Sequence, residues 1–163
     1  MTDIVVLADT HIHRNSARRL PPAVYAALEQ ADLVLHAGDV VTGDVLEELA
    51  GFAPTLAVLG NNDGELAGRL PAERSFTVEG LTIAMVHDSG ARQGREARLR
   101  RRFPAAEVVV FGHSHVPVDA PGLGGQRLFN PGSPTERRRQ PHHTFGRLRI
   151  EGGRLLEHRI EVI

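Results

Sequence analysis

Aliphatic runs alternate with amphipathic segments along the first half of the chain. A continuous aliphatic run that ends at a polar turn is typical of a strand buried on both faces. Apolar residues at helical spacing, bounded by Pro, Thr or Gly, predict helices between these strands, and Thr42 is predicted to cap the second helix. The predicted strands cover residues 4–8, 33–36 and 55–59, and the predicted helices cover residues 21–30 and 43–50.

Hairpins dominate the second half. Glu79-Gly80 separates two strand-like segments and is a two-residue sequence typical of a hairpin turn. The other predicted elements are strands over 75–78, 81–86, 108–111, 144–150 and 155–163, a turn at 151–153, a helix over 94–103 and a surface loop over 117–125. Strand–helix–strand units followed by hairpins predict one α/β domain over residues 1–163, with mixed sheets rather than a doubly wound parallel sheet.

The composition excludes several kinds of chemistry. The chain has no Cys, which excludes disulfides, thiolate zinc sites and a Cys nucleophile. All 19 residues of the Lys and Arg class are Arg, so Schiff-base chemistry is excluded and cationic phosphate contacts must come from Arg or His. The net charge is −1, and we expect neither nucleic acid nor a membrane as partner. Without a signal peptide or an apolar run of about 20 residues, a cytoplasmic location is expected.

Six short motifs rich in metal-ligand residue types occur in a fixed order, and most directly follow a predicted strand. They are Asp9-Thr10-His11, Gly38-Asp39, Gly60-Asn61-Asn62-Asp63, His87-Asp88, Gly112-His113-Ser114-His115 and Asn130-Pro131-Gly132-Ser133. Each alone is common in turns, but together they would require independent coincidences at the ends of five strands. Because ligands at several strand ends can converge on one point, the motifs predict a metal site at a sheet edge.

Spacing and residue type indicate how an ion would be held. Asp9 and His11 are two residues apart, as are His113 and His115, and alternate side chains of a strand point the same way. A glycine precedes Asp39, and another precedes the first Asn of the third motif; both permit a tight exit from the strand. Carboxylate, amide oxygen and imidazole donors without sulfur suit Mn²⁺, Fe²⁺, Zn²⁺, Co²⁺ or Ni²⁺ better than Ca²⁺.

The order of these motifs resembles that of the calcineurin-like metallophosphoesterase superfamily over nearly the whole chain. The small size and the segment at residues 130–133 make it most similar to the compact branch, which includes small bacterial and archaeal phosphodiesterases and the retromer subunit Vps29. The resemblance implies a four-layer αββα sandwich with two mixed sheets and a dinuclear site at the strand ends. It assigns Asp9, His11 and His115 to one metal, Asn61, His87 and His113 to the other, and Asp39 to both as a bridge.

The resemblance also implies a hydrolase with two divalent metal ions, Mn²⁺ being favoured over Fe²⁺, Zn²⁺, Ni²⁺ and Co²⁺. A shared carboxylate and a bridging hydroxide offset the repulsion between the ions, and the hydroxide would attack phosphorus. We favour a phosphodiesterase, because the chain has no inserted cap domain and an open site suits a small diester or a nucleotide. The alternatives are a phosphomonoesterase acting on a small metabolite and a Vps29-like interaction scaffold without turnover. A homo-oligomer is compatible with the sequence.

The chain departs from the superfamily pattern at Asn62, where many members carry a His that is thought to protonate the leaving group or bind phosphate. An Asn amide can contact a phosphate oxygen but cannot act as a general acid. His13, close in sequence to a candidate ligand, is therefore a candidate proton donor, with His142 and His143 as alternatives. Asp63 is expected to orient either a neighbouring group or the loop itself.

Two runs of arginine carry the highest local positive charge. Residues 98–102 lie on a predicted helix, where Leu99 and Phe103 are expected to pack inward and the arginines to face solvent. Residues 137–139 follow the segment that the resemblance places near the metals, and they are candidates to line the substrate entrance. Neither run is interleaved with aromatic residues, so neither predicts stacking on single-stranded nucleic acid.

Overall fold

The computed structural model describes all 163 residues and contains ten strands, three α-helices and two 3-10 helices. The strands are β1 (Thr2–Leu7), β2 (Leu33–His36), β3 (Thr55–Ala57), β4 (Glu73–Val78), β5 (Leu81–Val86), β6 (Val108–Val110), β7 (Val118–Pro121), β8 (Arg127–Asn130), β9 (Thr144–Glu151) and β10 (Arg154–Val162). The helices are α1 (Pro22–Leu28), α2 (Gly43–Ala50) and α3 (Arg95–Arg102), and the 3-10 helices are Gly64–Leu66 and Leu123–Gly125.

The strands form two mixed sheets of five strands each. The first has the order β10-β9-β1-β2-β3, in which β1, β2 and β3 are parallel and β9 and β10 are antiparallel to their neighbours. The second has the order β4-β5-β6-β8-β7, in which β5, β6 and β8 are parallel and the two edge strands are antiparallel. The parallel strands are the most buried, as expected for strands covered on both faces.

Alternation along the strands creates the layers. In β5, Leu81, Ile83 and Met85 face the other sheet, whereas Ala84 and Val86 face α3. One core therefore lies between the sheets, a second lies between the first sheet and the helices α1 and α2, and a third lies beneath α3. The four-layer αββα sandwich predicted from the sequence is confirmed. No helix has the length and apolar character needed to cross a bilayer.

Two local predictions from the sequence are wrong. Thr42 occupies the N-cap position of α2, but its hydroxyl donates to the carbonyl oxygen of Ile12 at 3.4 Å and forms no cap hydrogen bond. The predicted surface loop at residues 117–125 contains β7, which pairs with β8 at the edge of the second sheet. An edge strand tolerates Pro121, because the missing N–H is needed only for an inner ladder. The Pro and Gly residues of this segment suggested a loop, but the segment forms a strand because it pairs with β8.

The parallel strands position the functional region. The segments that follow β1, β2 and β3 in the first sheet and β5, β6 and β8 in the second meet at one edge of the sandwich, as the contact between Asp9 and the backbone N–H of His113 demonstrates at 3.2 Å. Five of the six sequence motifs lie in these segments, and the sixth begins at Asn130, the last residue of β8. The structure therefore confirms that the segments carrying the motifs follow strands and meet at one edge.

The inter-sheet core predicts a contrast between two phenylalanines. Phe129 is fully buried between the sheets, whereas Phe52 is 39% exposed, belongs to none of the three cores and has its ring centroid 6.0 Å from that of Tyr25. Phe129→Ala should lower the free energy of unfolding by about 3–5 kcal/mol through lost burial and a cavity. Phe52→Ala should cost less than about 1.5 kcal/mol. Urea unfolding followed by circular dichroism measures both, and equal losses would contradict this placement of the core.

Candidate metal centre

Seven side chains predicted as metal ligands cluster at the shared edge of the sheets. Asp9, Asp39, His87 and His115 are almost completely buried, and His11 is 8% exposed. The other two are exposed to solvent and complete the outer side of the cluster; they are Asn61 and His113. The cluster therefore has a buried base and an open face.

Five of these residues adopt a left-handed backbone conformation. The φ angles are 54° for Asp9, 45° for His11, 57° for Asp39, 69° for His113 and 60° for His115. For residues other than Gly this conformation costs on the order of 1–3 kcal/mol and is found mainly at functional sites. The paired ligands therefore converge through left-handed turns, not through strand alternation as the sequence argument assumed.

The glycines that precede ligands are required for close packing within the cluster. A Cβ added to Gly38 would lie 2.6 Å from Nδ1 of His87, and one added to Gly112 would lie 3.0 Å from Oδ2 of Asp9. A Cβ on Gly60 would collide with the backbone nitrogen and carboxylate of Asp39. Each glycine therefore packs against a candidate ligand that comes from a different strand, which explains the Gly-Asp, Gly-Asn and Gly-His sequences.

One group of three side chains surrounds Asp9. Oδ1 of Asp9 lies 4.0 Å from Nε2 of His11 and 3.7 Å from Nε2 of His115, and the two imidazole centroids are 5.1 Å apart. Ligand atoms of all three side chains lie within 4.8 Å of one another. Such a group of one carboxylate and two imidazoles could hold one divalent ion.

A second group lies beside the first and shares Asp9 with it. Nε2 of His87 is 3.4 Å from Oδ2 of Asp39 and 3.9 Å from Oδ1 of Asp9. Oδ1 of Asn61 lies 2.9 Å from Nε2 of His87 and 3.1 Å from Nδ1 of His113. Oδ2 of Asp39 is also 3.3 Å from Nε2 of His11, so this carboxylate stands between the two groups.

Backbone carbonyls fix the tautomers of two imidazoles. Nδ1–H of His87 donates to the carbonyl oxygen of Ala37 at 2.7 Å, and Nδ1–H of His115 donates to the carbonyl oxygen of Glu136. A carbonyl can only accept, so Nε2 of either ring would offer its lone pair to the cluster once it carries no proton. Such a partner on the remote nitrogen is characteristic of histidines that bind metals.

The loop that follows β8 supports the first group, a role that the sequence analysis missed. The Ser133 hydroxyl donates to the carbonyl oxygen of Asp9 at 2.8 Å, and the Thr135 hydroxyl donates to that of Thr10 at 2.6 Å. Oε2 of Glu136 lies 3.6 Å from Nδ1 of His11. The Asn-Pro-Gly-Ser motif was the sequence signal for this loop, but its hydrogen bonds depend on the long-range packing of β8 beside β6.

Asp63 and His36 organise the Asp39 loop. Oδ2 of Asp63 accepts from the backbone N–H groups of Asp39 at 2.9 Å and Gly60 at 2.7 Å. Nδ1 of His36 accepts from the N–H of Gly38 at 3.2 Å, so Nε2–H donates to the Thr10 hydroxyl at 3.0 Å. Burial lowers the pKa of His36 to about 3, and the ring is a neutral connection between two loops. His36 gave no sequence signal because it stands inside a predicted strand.

The electrostatics of the cluster favour a cation. Burial raises the pKa of Asp9 to about 7, and the nearby Asp39 contributes to this rise. Burial alone would also raise the pKa of Asp39, but hydrogen bonds from His87 and Asn62 outweigh it and the pKa falls. Burial alone would lower the pKa of His87, but its bonds to Asp39 and Ala37 outweigh burial and the pKa is raised. The negative potential that draws a proton to His87 would also attract a metal ion.

Buried atoms without partners provide a direct test of whether a metal fits. Oδ2 of Asp9, Nε2 of His11 and Nε2 of His115 are buried and accept no hydrogen bond. A buried polar group without a partner costs about 1–3 kcal/mol, and native proteins contain few of them. All three atoms belong to the first group, and carboxylate oxygen and imidazole nitrogen are ordinary ligands of divalent metals. The residues present therefore fit a metal ion.

The remaining predicted site residues lie around the cluster. Asn62 donates from its backbone N–H to Oδ1 of Asp39 and from its amide to Oδ2, both at 2.8 Å, so the amide orients this carboxylate. His13 is exposed in a cavity of about 190 Å³ that it shares with Arg14 and Arg19. Burial is the main cause that lowers the pKa of His11 and His115, and the charge of Arg138 adds to it, which places part of the second arginine run near the cluster. In the first run, Leu99 and Phe103 are buried, as predicted.

Comparisons with known proteins agree with this geometry. Residues 2–153 match the model of the calcineurin-like phosphoesterase superfamily domain. A protein of Methanothermobacter thermautotrophicus described as a probable metallophosphoesterase is 36% identical over 154 residues, which cover 93% of this chain and 88% of the relative.

Two solved structures share the fold at lower sequence identity. Vps29 of Chaetomium thermophilum has a TM-score of 0.80 at 18% identity, covering 99% of this chain and 95% of that chain. An archaeal phosphodiesterase has a TM-score of 0.74 at 23% identity, covering 99% of each chain. The match of the family model over most of the sequence and the identity to the Methanothermobacter protein lead to one conclusion: the chain belongs to the calcineurin-like phosphoesterase superfamily.

Proposed function

We propose that this protein is a metal-dependent phosphodiesterase with two divalent ions in one site, Mn²⁺ being the favoured metal. The observation that carries the proposal is the pair of adjacent side-chain groups that share Asp9, with three buried ligand atoms that lack partners. Asp9, His11 and His115 would hold one ion, Asn61, His87 and His113 the other, and Asp39 would bridge them. When bound, such a pair of ions activates a water molecule as nucleophile and neutralises charge on the phosphate.

The chain's own residues would keep this arrangement rigid before substrate arrives. Asn62 and Asp63 hold the carboxylate and the backbone of Asp39, and the carbonyl oxygens of Ala37 and Glu136 set the rings of two histidines. A preorganised site spends little free energy on reorganisation during the reaction. Fixed ligands on one side and an exposed face on the other suit a substrate that approaches from solvent.

The open side of the cluster favours a diester over a small monoester. A cavity of about 300 Å³ opens beside Asn61, His87 and His113, and Arg102 lines its outer part. A phosphodiester carries a substituent on each side of phosphorus and needs such room. The archaeal phosphodiesterase with the same fold is consistent with this choice. The Vps29 relatives keep the fold as well, and a scaffold function would be supported instead if metal bound without turnover.

The central test is hydrolysis of parallel chromogenic diester and monoester substrates with Mn²⁺. The wild-type protein should hydrolyse the diester faster than the monoester. Asp39→Asn should lower kcat for the diester on the order of 100-fold or more, since it removes the charge between the two ions. Asp32→Asn, an exposed control at the opposite end of β2, should have wild-type activity. Metal binding without turnover of either substrate would contradict the proposal.

A second prediction concerns two glycines of the Asn61 loop. Gly60→Ala would push a methyl group into Asp39, whereas a Cβ at Gly64 meets no atom within 4 Å. We expect Gly60→Ala to weaken Mn²⁺ binding about 10- to 100-fold, the range seen when the support of a metal ligand is disturbed. Gly64→Ala should bind Mn²⁺ as the wild type does. Titration calorimetry measures both; equal affinities would show that close packing at Gly60 does not position the carboxylate.

A third prediction concerns the proton donor to the leaving group. We propose His13, since Asn62 cannot donate a proton as an acid and its amide faces Asp39. His13→Ala should slow the hydrolysis of alkyl esters about 100-fold and change that of nitrophenyl esters little, because nitrophenolate leaves without protonation. Rates for the two ester classes, measured on the same preparation, provide the internal control. If His13→Ala slows both ester classes equally, or slows neither, then His13 is not the proton donor to the leaving group.

A further inference from the structure

A cavity of about 550 Å³ lies beside the cluster, on the outer side of the second sheet. One wall is apolar and consists of Val116, Val118 and Ala120 with neighbouring residues. The charged part of its lining consists of Arg92, just before α3, and of Arg95 and Glu96 at the start of α3. We call this the side cavity. Its volume is within the range of sites that bind small organic ligands.

The side cavity adjoins the proposed reaction site through one residue. Ser114 lines the cavity and stands between His113 and His115 in the chain. Its hydroxyl accepts from the backbone N–H of Val116 at 3.2 Å, which ties the ligand loop to the apolar wall. A substrate whose phosphorus lies at the cluster can therefore extend a substituent past Ser114 into the cavity.

Arg95 is preorganised to contact a flat group. Its guanidinium lies 5.0 Å from the centroid of the buried Phe111 ring, and its Nε is buried without a hydrogen-bond partner. Burial, with the charges of Arg98 and Arg92, lowers the pKa of Arg95, and Glu96, which also lines the cavity, partly offsets this shift. A planar guanidinium held on one ring can stack on a second.

We propose that the side cavity binds an aromatic substituent of the phosphate ester, between the aliphatic wall and the guanidinium of Arg95. The proposal rests on the function proposed above and specifies the substrate class as aryl or nucleoside esters rather than purely aliphatic ones. Aliphatic side chains contact one face of the ring and a cation contacts the other, which is the arrangement that an electron-rich ring favours and an alkyl chain does not. Ser114 limits the distance between this ring and the scissile phosphorus.

The test compares two diesters with the same leaving group, phenyl p-nitrophenyl phosphate and methyl p-nitrophenyl phosphate. The aryl preference is the ratio of their kcat/KM values. Arg95→Ala should lower this ratio about tenfold, the effect of losing one desolvated cation–π contact. Ala120→Phe, which fills the cavity from the apolar wall, should lower it as well. Arg101→Ala, an exposed arginine on the same helix, is the matched control and should leave the ratio unchanged.

A binding measurement separates this proposal from the proposed function. Phenylphosphonate and methylphosphonate are not hydrolysed, and calorimetry with Mn²⁺ present should give tighter binding of phenylphosphonate to the wild type, lost in Arg95→Ala. If the wild type hydrolyses no diester but shows this preference, the proposed function fails and the side cavity proposal stands. Equal binding of both phosphonates, or an equal effect of Arg95→Ala and Arg101→Ala on the aryl preference, would overturn the side cavity proposal.

Discussion

The site depends on one backbone constraint, which is a sharp left-handed turn immediately after a parallel strand. Asp9, Asp39 and His113 each adopt a left-handed φ at the end of a parallel strand, and this turn directs the side chain back over the sheet edge. The conformation costs free energy at every position. Long-range hydrogen bonds maintain it: the backbone N–H of Asp39 donates to the Asp63 carboxylate, and the Ser133 hydroxyl donates to the carbonyl oxygen of Asp9. Loops and ligands therefore form one rigid unit rather than separate features.

The sheets themselves make this unit possible. Two mixed sheets that pack through a common apolar core bring the ends of β1, β2 and β3 opposite those of β5, β6 and β8. At this junction the backbones are so close that a Cβ on Gly38, Gly60 or Gly112 would lie 3.0 Å or less from a candidate ligand that follows another strand. The buried carboxylates are thereby desolvated, which raises the pKa of Asp9 to about 7. The close packing of the loops and the negative potential that favours a cation therefore both result from the junction of the two sheets.

Local patterns predicted an α/β domain with mixed sheets and ligand-type residues at the ends of strands, whereas the four layers and the assignment of the ligands followed from the family resemblance. Each motif follows an aliphatic run, so its place at a strand end could be inferred without knowing the pairing of the strands. The tautomers of His87 and His115 could not be inferred, because the accepting carbonyls belong to Ala37 and Glu136, remote in sequence. The same holds for β7, whose Pro and Gly residues suggested a loop until pairing with β8 was known. The residue types that could bind a metal were predictable from the sequence. The hydrogen bonds from remote backbone groups that orient those side chains were not.

One half of the cluster is buried and the other half is exposed to solvent, and this difference affects how a substrate could be recognised. The first group is buried beneath the loop of Ser133 and Glu136, and its ligands have little freedom to respond to a substrate. The second group is exposed through Asn61 and His113, and cavities open on both sides of the His113 loop. On the proposed function, the buried half would carry the chemistry common to many phosphate esters, and the exposed half would discriminate among them. Since specificity depends on contacts outside the reacting centre, residues such as Arg95 can differ without disturbing the metal ligands.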